Sequence, residues 1–543
     1  MKMKLTALVS IITLAGFGFV SCGKKAGAKA DAKGTEVHVQ IGPSPETIDP
    51  ALNSAVDGAN MILHAFEGLL KFDRNNSIVA GLADKWEQSE DGLTWTFHLR
   101  PDLKWSDGSA LTADDFVYSW KRVADPATAA PYGYDLLNLV VGFDEASAGD
   151  LDKLGVEAPD ASTFVVHLTN PCIYFDKIAA FAVLVPVNKA TIEANGDSWT
   201  VNPKTYITSG PYYMTEFTDG AQIVFTKNPY YWDAASITFD RIVWHLIEDA
   251  NTSYTAYNQN EIQLIKDVPT EEITALRGNE EFYLEPLMGT YYVTFNTQKA
   301  PFNNRKVREA LSLAIDRGHV ASTIMLGTYS PALNFVGAGV SDATPGSSFE
   351  EVTKAKYGDH FHTDNYAADL AKAKQLLAEA GYPEGKGFPV FEYLTNDIAY
   401  HKAVAEYLQA AWAELGLTMN VNIQEWKTVT ADRRSGNFDV ARNGWVYDWD
   451  DPSNMINLME TGNGNNDGKY SSKEFDRYVD LARNTTDVAK HYEYLHEAEQ
   501  VLLNDAAMAP VAYYNEFWLQ KKNLKGTWHS PYGYWYLMYG HFE

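Results

Sequence analysis

Between Leu93 and Leu99 apolar and polar residues alternate: Leu93, Trp95, Phe97 and Leu99 fall on one side of an extended chain, Thr94, Thr96 and His98 on the other. This period of two predicts a half-buried strand, which Pro101 terminates. Beyond it, Ser106, Asp107 and Gly108 supply turn chemistry. Thr112 with Asp115 then reads as a capping box for a helix that places Phe116, Val117, Trp120 and Val123 on one face. The unit is strand, turn, helix, with Trp95 and Trp105 expected in its core.

The same reading extends along the chain. VHVQI (37–41) and IVWHLI (242–247) read as strands among longer helical patterns, so the class is mixed α and β. In the C-terminal half, Asp364 or Asn365 caps a helix carrying Leu370, Leu376, Leu377 and Ala380 that stops at Gly381 and Pro383. A second helix is predicted from Ile398 to Leu415, after which MNVNIQ directs Met419, Val421 and Ile423 inward as a strand. TGNGNNDG (461–468) is expected to be a surface loop. The 543 residues exceed one ordinary core and suggest roughly three to four domains, yet no clear linker divides them. Domains without linkers imply short strand crossings, a layout suited to hinged lobes.

Composition narrows the partners. A chain that is 45% hydrophobic and 21% charged is globular, and 71 acidic against 44 basic residues, a net charge of −27, disfavours nucleic acid and anionic lipid. Residues 1–21 read as an export signal: Lys2 and Lys4, an apolar run, then small residues. Cys22 follows directly, ahead of a Gly-, Lys- and Ala-rich stretch that reads as a tether. Removing residues 1–21 takes away Lys2 and Lys4 and no acid, which moves the charge from −27 to −29. The other cysteine, Cys172, is expected to be a buried small hydrophobe, and no later apolar run is long enough to cross a bilayer.

Signatures of catalysis fail. GxxxxGK[ST], GxSxG and HExxH are absent, and no cofactor or metal is expected. His360 and His362 lie in a polar stretch and read as solvated. The acidic run from Asp448 matches a calcium loop only at its first and third positions, because Pro452, Ser453 and Met459 occupy positions that need a ligand, a glycine and a glutamate. Aromatic richness, with 14 Trp and 32 Tyr, suits either a ligand cleft or a large core with tyrosine edges.

AGLADKWEQSEDGLTWTFHLRPDLKWSDGSALTADDFVYSWKR (80–122) closely resembles the signature region of extracytoplasmic solute-binding proteins of the peptide and nickel class, family 5. The resemblance continues through ETIDP (46–50), FEGLL (66–70), NPYYW (228–232), FNNRKVREALSLAIDR (302–317), LLAEAGYP (376–383) and FDVARNGWVYDWDDP (438–452). It thus spans nearly all of the chain after the tether. QEWKT (424–428) and ARNGW followed by Asp448 are most similar to the oligopeptide-binding proteins of ABC importers. Cys22 resembles a lipoprotein acylation site, with Ser21 a usual residue before the cysteine and Phe19 standing where leucine is usual; an ordinary signal peptide is the alternative.

The resemblance implies an α/β, two-lobed clamshell like the periplasmic binding proteins, with an extra small domain in the first lobe. It divides the chain into a signal (1–21), a lipidated cysteine and tether (22–35), a first-lobe main domain (36–79, 192–286 and 517–543), the extra domain (80–191) and the second lobe (287–516). Two hinge crossings are expected near Pro286 to Thr290 and Tyr513 to Phe517. It implies a non-catalytic, monomeric, membrane-anchored extracytoplasmic receptor that encloses an extended oligopeptide with low side-chain specificity and delivers it to an ABC permease.

Asp448 matches the aspartate that receives the peptide ammonium, the alternative being a loop acid in an acidic turn. Trp426, Trp445 and Tyr132 match pocket-lining aromatics, with core packing the rival, and Glu67 matches a cleft carboxylate. Arg442 and His401 match positions that meet the peptide carboxylate; Arg442 could instead be a structural ion pair and His401 an idle residue at an exposed helix start. A carboxylate-binding His401 implies binding that weakens as pH rises through its titration. Trp449 and Asp450 stand where relatives vary, which implies a reshaped pocket by the ligand's N-terminus. Rival readings are a family binder of nickel chelates, haem or oligosaccharides, a carbohydrate-active hydrolase, and an adhesin or signalling receptor.

Overall fold

Two long strands, Phe282–Phe295 and Met508–Gln520, organise the computed structural model, which describes residues 35–543. The signal, the Cys22 site and the tether up to residue 34 lie outside the described residues. The strands pair antiparallel on both sides of a register break between Pro286 and Thr290. Pro286 has no N–H to give the ladder, and a side chain on Gly289 would collide with the Trp445 carbonyl 2.6 Å away, so both residue types suit a bent, closely approached strand.

On either side of the break the long strands join different half-sheets. Gly289–Phe295 pairs with Val440–Val446, next to which Phe391–Asn396 and Met419–Gln424 add parallel strands. At the other end, Leu519 and Gln520 pair with Leu264–Ile265, followed by Glu36–Gln40, Arg241–His245, Gln222–Lys227 and Tyr212–Thr218. The result is the two-lobed α/β architecture. The segment Met288–Phe295 is buried throughout, as a strand covered on both faces must be.

The opening unit is seen as expected. Thr94–Leu99 buries Trp95, Phe97 and Leu99, and it is the second strand of an antiparallel sheet with Ala83–Gln88, Thr163–His167 and Val156–Asp160. Helix Ala113–Ala124 covers this sheet; the Asp115 carboxylate accepts the Thr112 backbone N–H at 2.8 Å, and Phe116, Trp120 and Val123 are buried. Trp105 and Cys172 are buried as well. Asp49 ties this small domain to the body of its lobe: its carboxylate takes a bidentate pair from Arg122 at 2.8 and 2.6 Å and the Trp199 indole N–H at 2.9 Å.

In the second lobe, helices Tyr366–Glu379 and Ala399–Ala413 bury Leu376, Leu377, Val404, Leu408 and Trp412, and Trp412 donates its indole N–H to the Leu311 carbonyl at 2.9 Å. Strand Met419–Gln424 departs from the alternation expected of it. Met419 is buried but Ile423 is 46% exposed, because the strand is the last of the sheet and its far end is uncovered. Loop 461–468 also differs from a plain surface loop: Asn466 and Asp467 are buried, and the Asn466 amide donates to the carbonyls of Met459, Glu460 and Tyr470, folding the loop inward.

Since removing one partner strands a buried charge, Asp49→Ala is expected to cost about 3–5 kcal/mol of stability. Urea unfolding followed by tryptophan fluorescence should show the loss in the first transition, and an unchanged profile would remove Asp49 from this role.

Candidate functional site

The strand Val440–Val446 runs beside the break and carries the chain into the acidic turn Asp448–Asp451. Two of the aspartates in this turn have cationic or multiple fixed partners. Asp451 faces the His491 imidazole at 3.0 Å, and His491 donates its other nitrogen to the Ala482 carbonyl, so that, against the effect of burial, the histidine holds the Asp451 carboxyl below its ordinary range. Asp450 accepts the Ser341 backbone N–H at 2.7 Å and lies 3.9 Å from the Lys177 ammonium.

Asp448 differs. Tyr132 donates its hydroxyl at 3.0 Å and the Asn454 amide approaches at 3.5 Å, but no lysine, arginine or histidine pairs with it among the described residues. Burial pushes its carboxyl up to about 7; the bonds from Tyr132 and Asn454 work in the other direction, and the nearby Asp135 charge adds to the rise. Asn454 also accepts the Trp445 indole N–H at 2.9 Å and the Asp448 backbone N–H at 3.2 Å, so one amide sets both site residues. Sequence reasoning missed Asn454, which carries no periodic signal.

Arg442 lies within strand Val440–Val446, six positions before Asp448, which sits in the turn beyond the strand's end. No carboxylate pairs with it among the described residues, so the ion-pair alternative does not apply. Its guanidinium sits 5.3 Å from the centre of the Tyr291 ring and 5.4 Å from that of Trp426, and donates to the Tyr514 hydroxyl at 3.3 Å. Tyr514 reaches this point because residue 444 is glycine: a side chain there would meet its hydroxyl at 2.2 Å. Trp426 is 46% exposed, which sets aside core packing for it.

Two expected site residues are placed otherwise. Glu67 is buried inside the first lobe and already accepts from Lys71 at 2.8 Å, Trp232 at 2.6 Å and the Tyr231 hydroxyl, so its charge is met by the protein itself. His401 is buried rather than at an exposed helix start, and burial first, with the Arg442 charge second, pushes its imidazole down to about 2. Without a ligand beside it the imidazole is therefore neutral at ordinary pH.

Cavities meet at Asp448. One of about 180 Å³ is lined by Asn53–Val56, Tyr132, Val446 and Tyr534; another of about 880 Å³ lies between the small domain and the second lobe, with Asp135, Trp445, Trp449 and Asn457 on its walls. Tyr174 stacks on Trp449 across the same junction, 6.1 Å between ring centres. An enclosed anion and a distant unpaired cation can hold a molecule that carries a positive charge at one end and a negative charge at the other. No group of three or more metal-ligating side chains occurs among the described residues.

These features fit a solute-binding protein built of two lobes. The chain belongs to the bacterial extracellular solute-binding proteins, family 5, whose profile matches residues 77–467. It is 35% identical over 480 residues to the periplasmic oligopeptide-binding protein OppA of Salmonella typhimurium, covering 87% of this chain and 86% of that one. It is 30% identical to the oligopeptide-binding protein OppA of Bacillus subtilis, with 96% and 95% covered. Among solved structures, OppA of Haemophilus influenzae in complex with RPPGFSPFR is similar at a TM-score of 0.76 and 30% identity, covering 94% of this chain and 99% of that one.

The Tyr132 hydroxyl stabilises the charged form of Asp448, so its removal should raise the titration further. Carboxyl NMR is expected to give a midpoint near 7 for Asp448 and a higher one in Tyr132→Phe; an ordinary midpoint near 4 would contradict the burial argument.

Proposed function

We propose that this protein is the substrate-binding component of an ABC peptide importer. It holds an extended oligopeptide between its lobes, with the α-ammonium on Asp448 and the carboxylate toward Arg442, and passes it to a membrane permease. The carrying observation is the enclosed, cation-free carboxylate of Asp448, surrounded by donors that orient it. A buried charge without a partner is costly, and a ligand ammonium relieves that cost only on binding. The oligopeptide-binding names of the relatives support the same ligand class.

In this reading the lobes pivot at the Pro286–Thr290 break and near Tyr513–Phe517, with residues 80–191 as the added domain, 36–79, 192–286 and 517–543 as the first lobe, and 287–516 as the second. Closure is a population shift driven by contacts that need both lobes. The protein acts without catalysis, as a monomer, anchored outside the cytoplasm through a lipid on Cys22.

Calorimetry with peptides tests this. Asp448→Asn should weaken binding by about 2–5 kcal/mol, thirtyfold or more, while leaving the circular dichroism unchanged. Wild-type affinity should fall about tenfold per pH unit below 7, because the carboxyl must lose its proton to receive the ammonium, and the variant should lose this dependence. Equal affinities for the two proteins would remove Asp448 from the site, and native mass spectrometry that releases sugars or a metal chelate instead of peptides would overturn the ligand class.

A further inference from the structure

The larger cavity beside Asp448 contains a second carboxylate without a cationic partner. Asp135, on the short helix Gly133–Leu137, is half-buried and accepts no hydrogen bond from a described side chain, and it is close enough to Asp448 for its charge to be felt there. The other charged groups on the wall do not compensate it. Glu460 and Arg483 neutralise each other at 2.6 Å. Arg434 faces Asp135 but is solvent-exposed, so water and salt screen it, and the burial of Asp135 outweighs its influence.

The same wall carries orphaned polar atoms. The Trp449 indole N–H, on a side chain 9% exposed, and the Asn457 carbonyl oxygen are buried without hydrogen-bond partners. The first suits an acceptor such as a ligand carbonyl, the second a donor. The cavity, about 880 Å³, is large enough for a long side chain.

Resting on the reading of Asp448 as the ammonium acceptor, we infer that this cavity selects peptides whose first residue carries a cationic side chain, with Asp135 as the residue that determines the preference. Once Asp448 has taken the α-ammonium, Asp135 remains as the desolvated charge in the cavity, and a lysine or arginine side chain offers it a partner while donating to Asn457. An acidic first side chain meets repulsion from Asp135, and an apolar one leaves Asp135 and both orphaned atoms unpaired. The net charge of −27 adds a long-range pull on cationic peptides.

Tetrapeptides that differ only in the first residue, lysine, alanine or glutamate followed by three alanines, test this by calorimetry at pH 7.5. The lysine peptide should bind about tenfold more tightly than the alanine peptide, and the glutamate peptide more weakly than either. In Asp135→Asn the ratio of the lysine to the alanine affinity should fall to about one while both peptides still bind, a pattern that misfolding would not give. Equal binding of all three peptides by the wild type, or a lysine preference that survives in Asp135→Asn, overturns the role of Asp135 and leaves the peptide reading intact. Failure of every peptide to bind overturns the peptide reading and this inference together.

Discussion

The hydrogen-bonding demand of two shared strands underlies the rest of the molecule. Phe282–Phe295 and Met508–Gln520 must satisfy their backbone groups in both half-sheets, which they can do only by changing partners along their length. The change falls where Pro286 withholds an N–H and Gly289 lets the Trp445 carbonyl and the Tyr514 ring approach. The strand carrying Arg442 and Trp445 is hung directly on this junction. Any rotation of one lobe against the other therefore moves Arg442 and Trp445 with the strand.

Charge placement separates the acids that meet a positive partner from those that do not. Asp49, Glu67, Asp450 and Asp451 are buried with a cationic or ionisable partner and further donors, and each joins pieces of chain apart in sequence. Asp448 and Arg442 are partly buried without an opposite charge among the described residues. Such groups lower the stability of the empty protein, and the loss is offset when a ligand supplies both counter-charges. A site built this way recognises the ends of a molecule rather than its middle, which agrees with the spacious, hydrophilic cavity between the lobes.

Local elements were readable from the residues alone. The alternation at 93–99, the capping box at Thr112 and Asp115, and the helix stop at Gly381 all correspond to elements in the structure, because each depends on near neighbours in sequence. The edge strand at 419–424 shows the limit: its pattern alternates, yet which end is covered depends on distant packing, and Ile423 is left exposed. Motif likeness singled out Asp448, Arg442 and Trp426, but likeness could not reveal that Glu67 already accepts from the NPYYW tyrosine and tryptophan, or that His401 is buried beside Arg442.

The sequence by itself determined the mixed α/β class, the short elements, the acidic surface and the absence of the common catalytic signatures, since these follow from composition and local spacing. Only the tertiary structure decided which charges are left without partners. Four aspartates and glutamates that look alike in the chain, Glu67, Asp135, Asp448 and Asp451, acquire different roles because pairing and desolvation depend on residues hundreds of positions away: Tyr132 reaches Asp448 across 316 positions and Trp232 reaches Glu67 across 165. No periodicity encodes that, because it arises from tertiary packing, both within a lobe and between them.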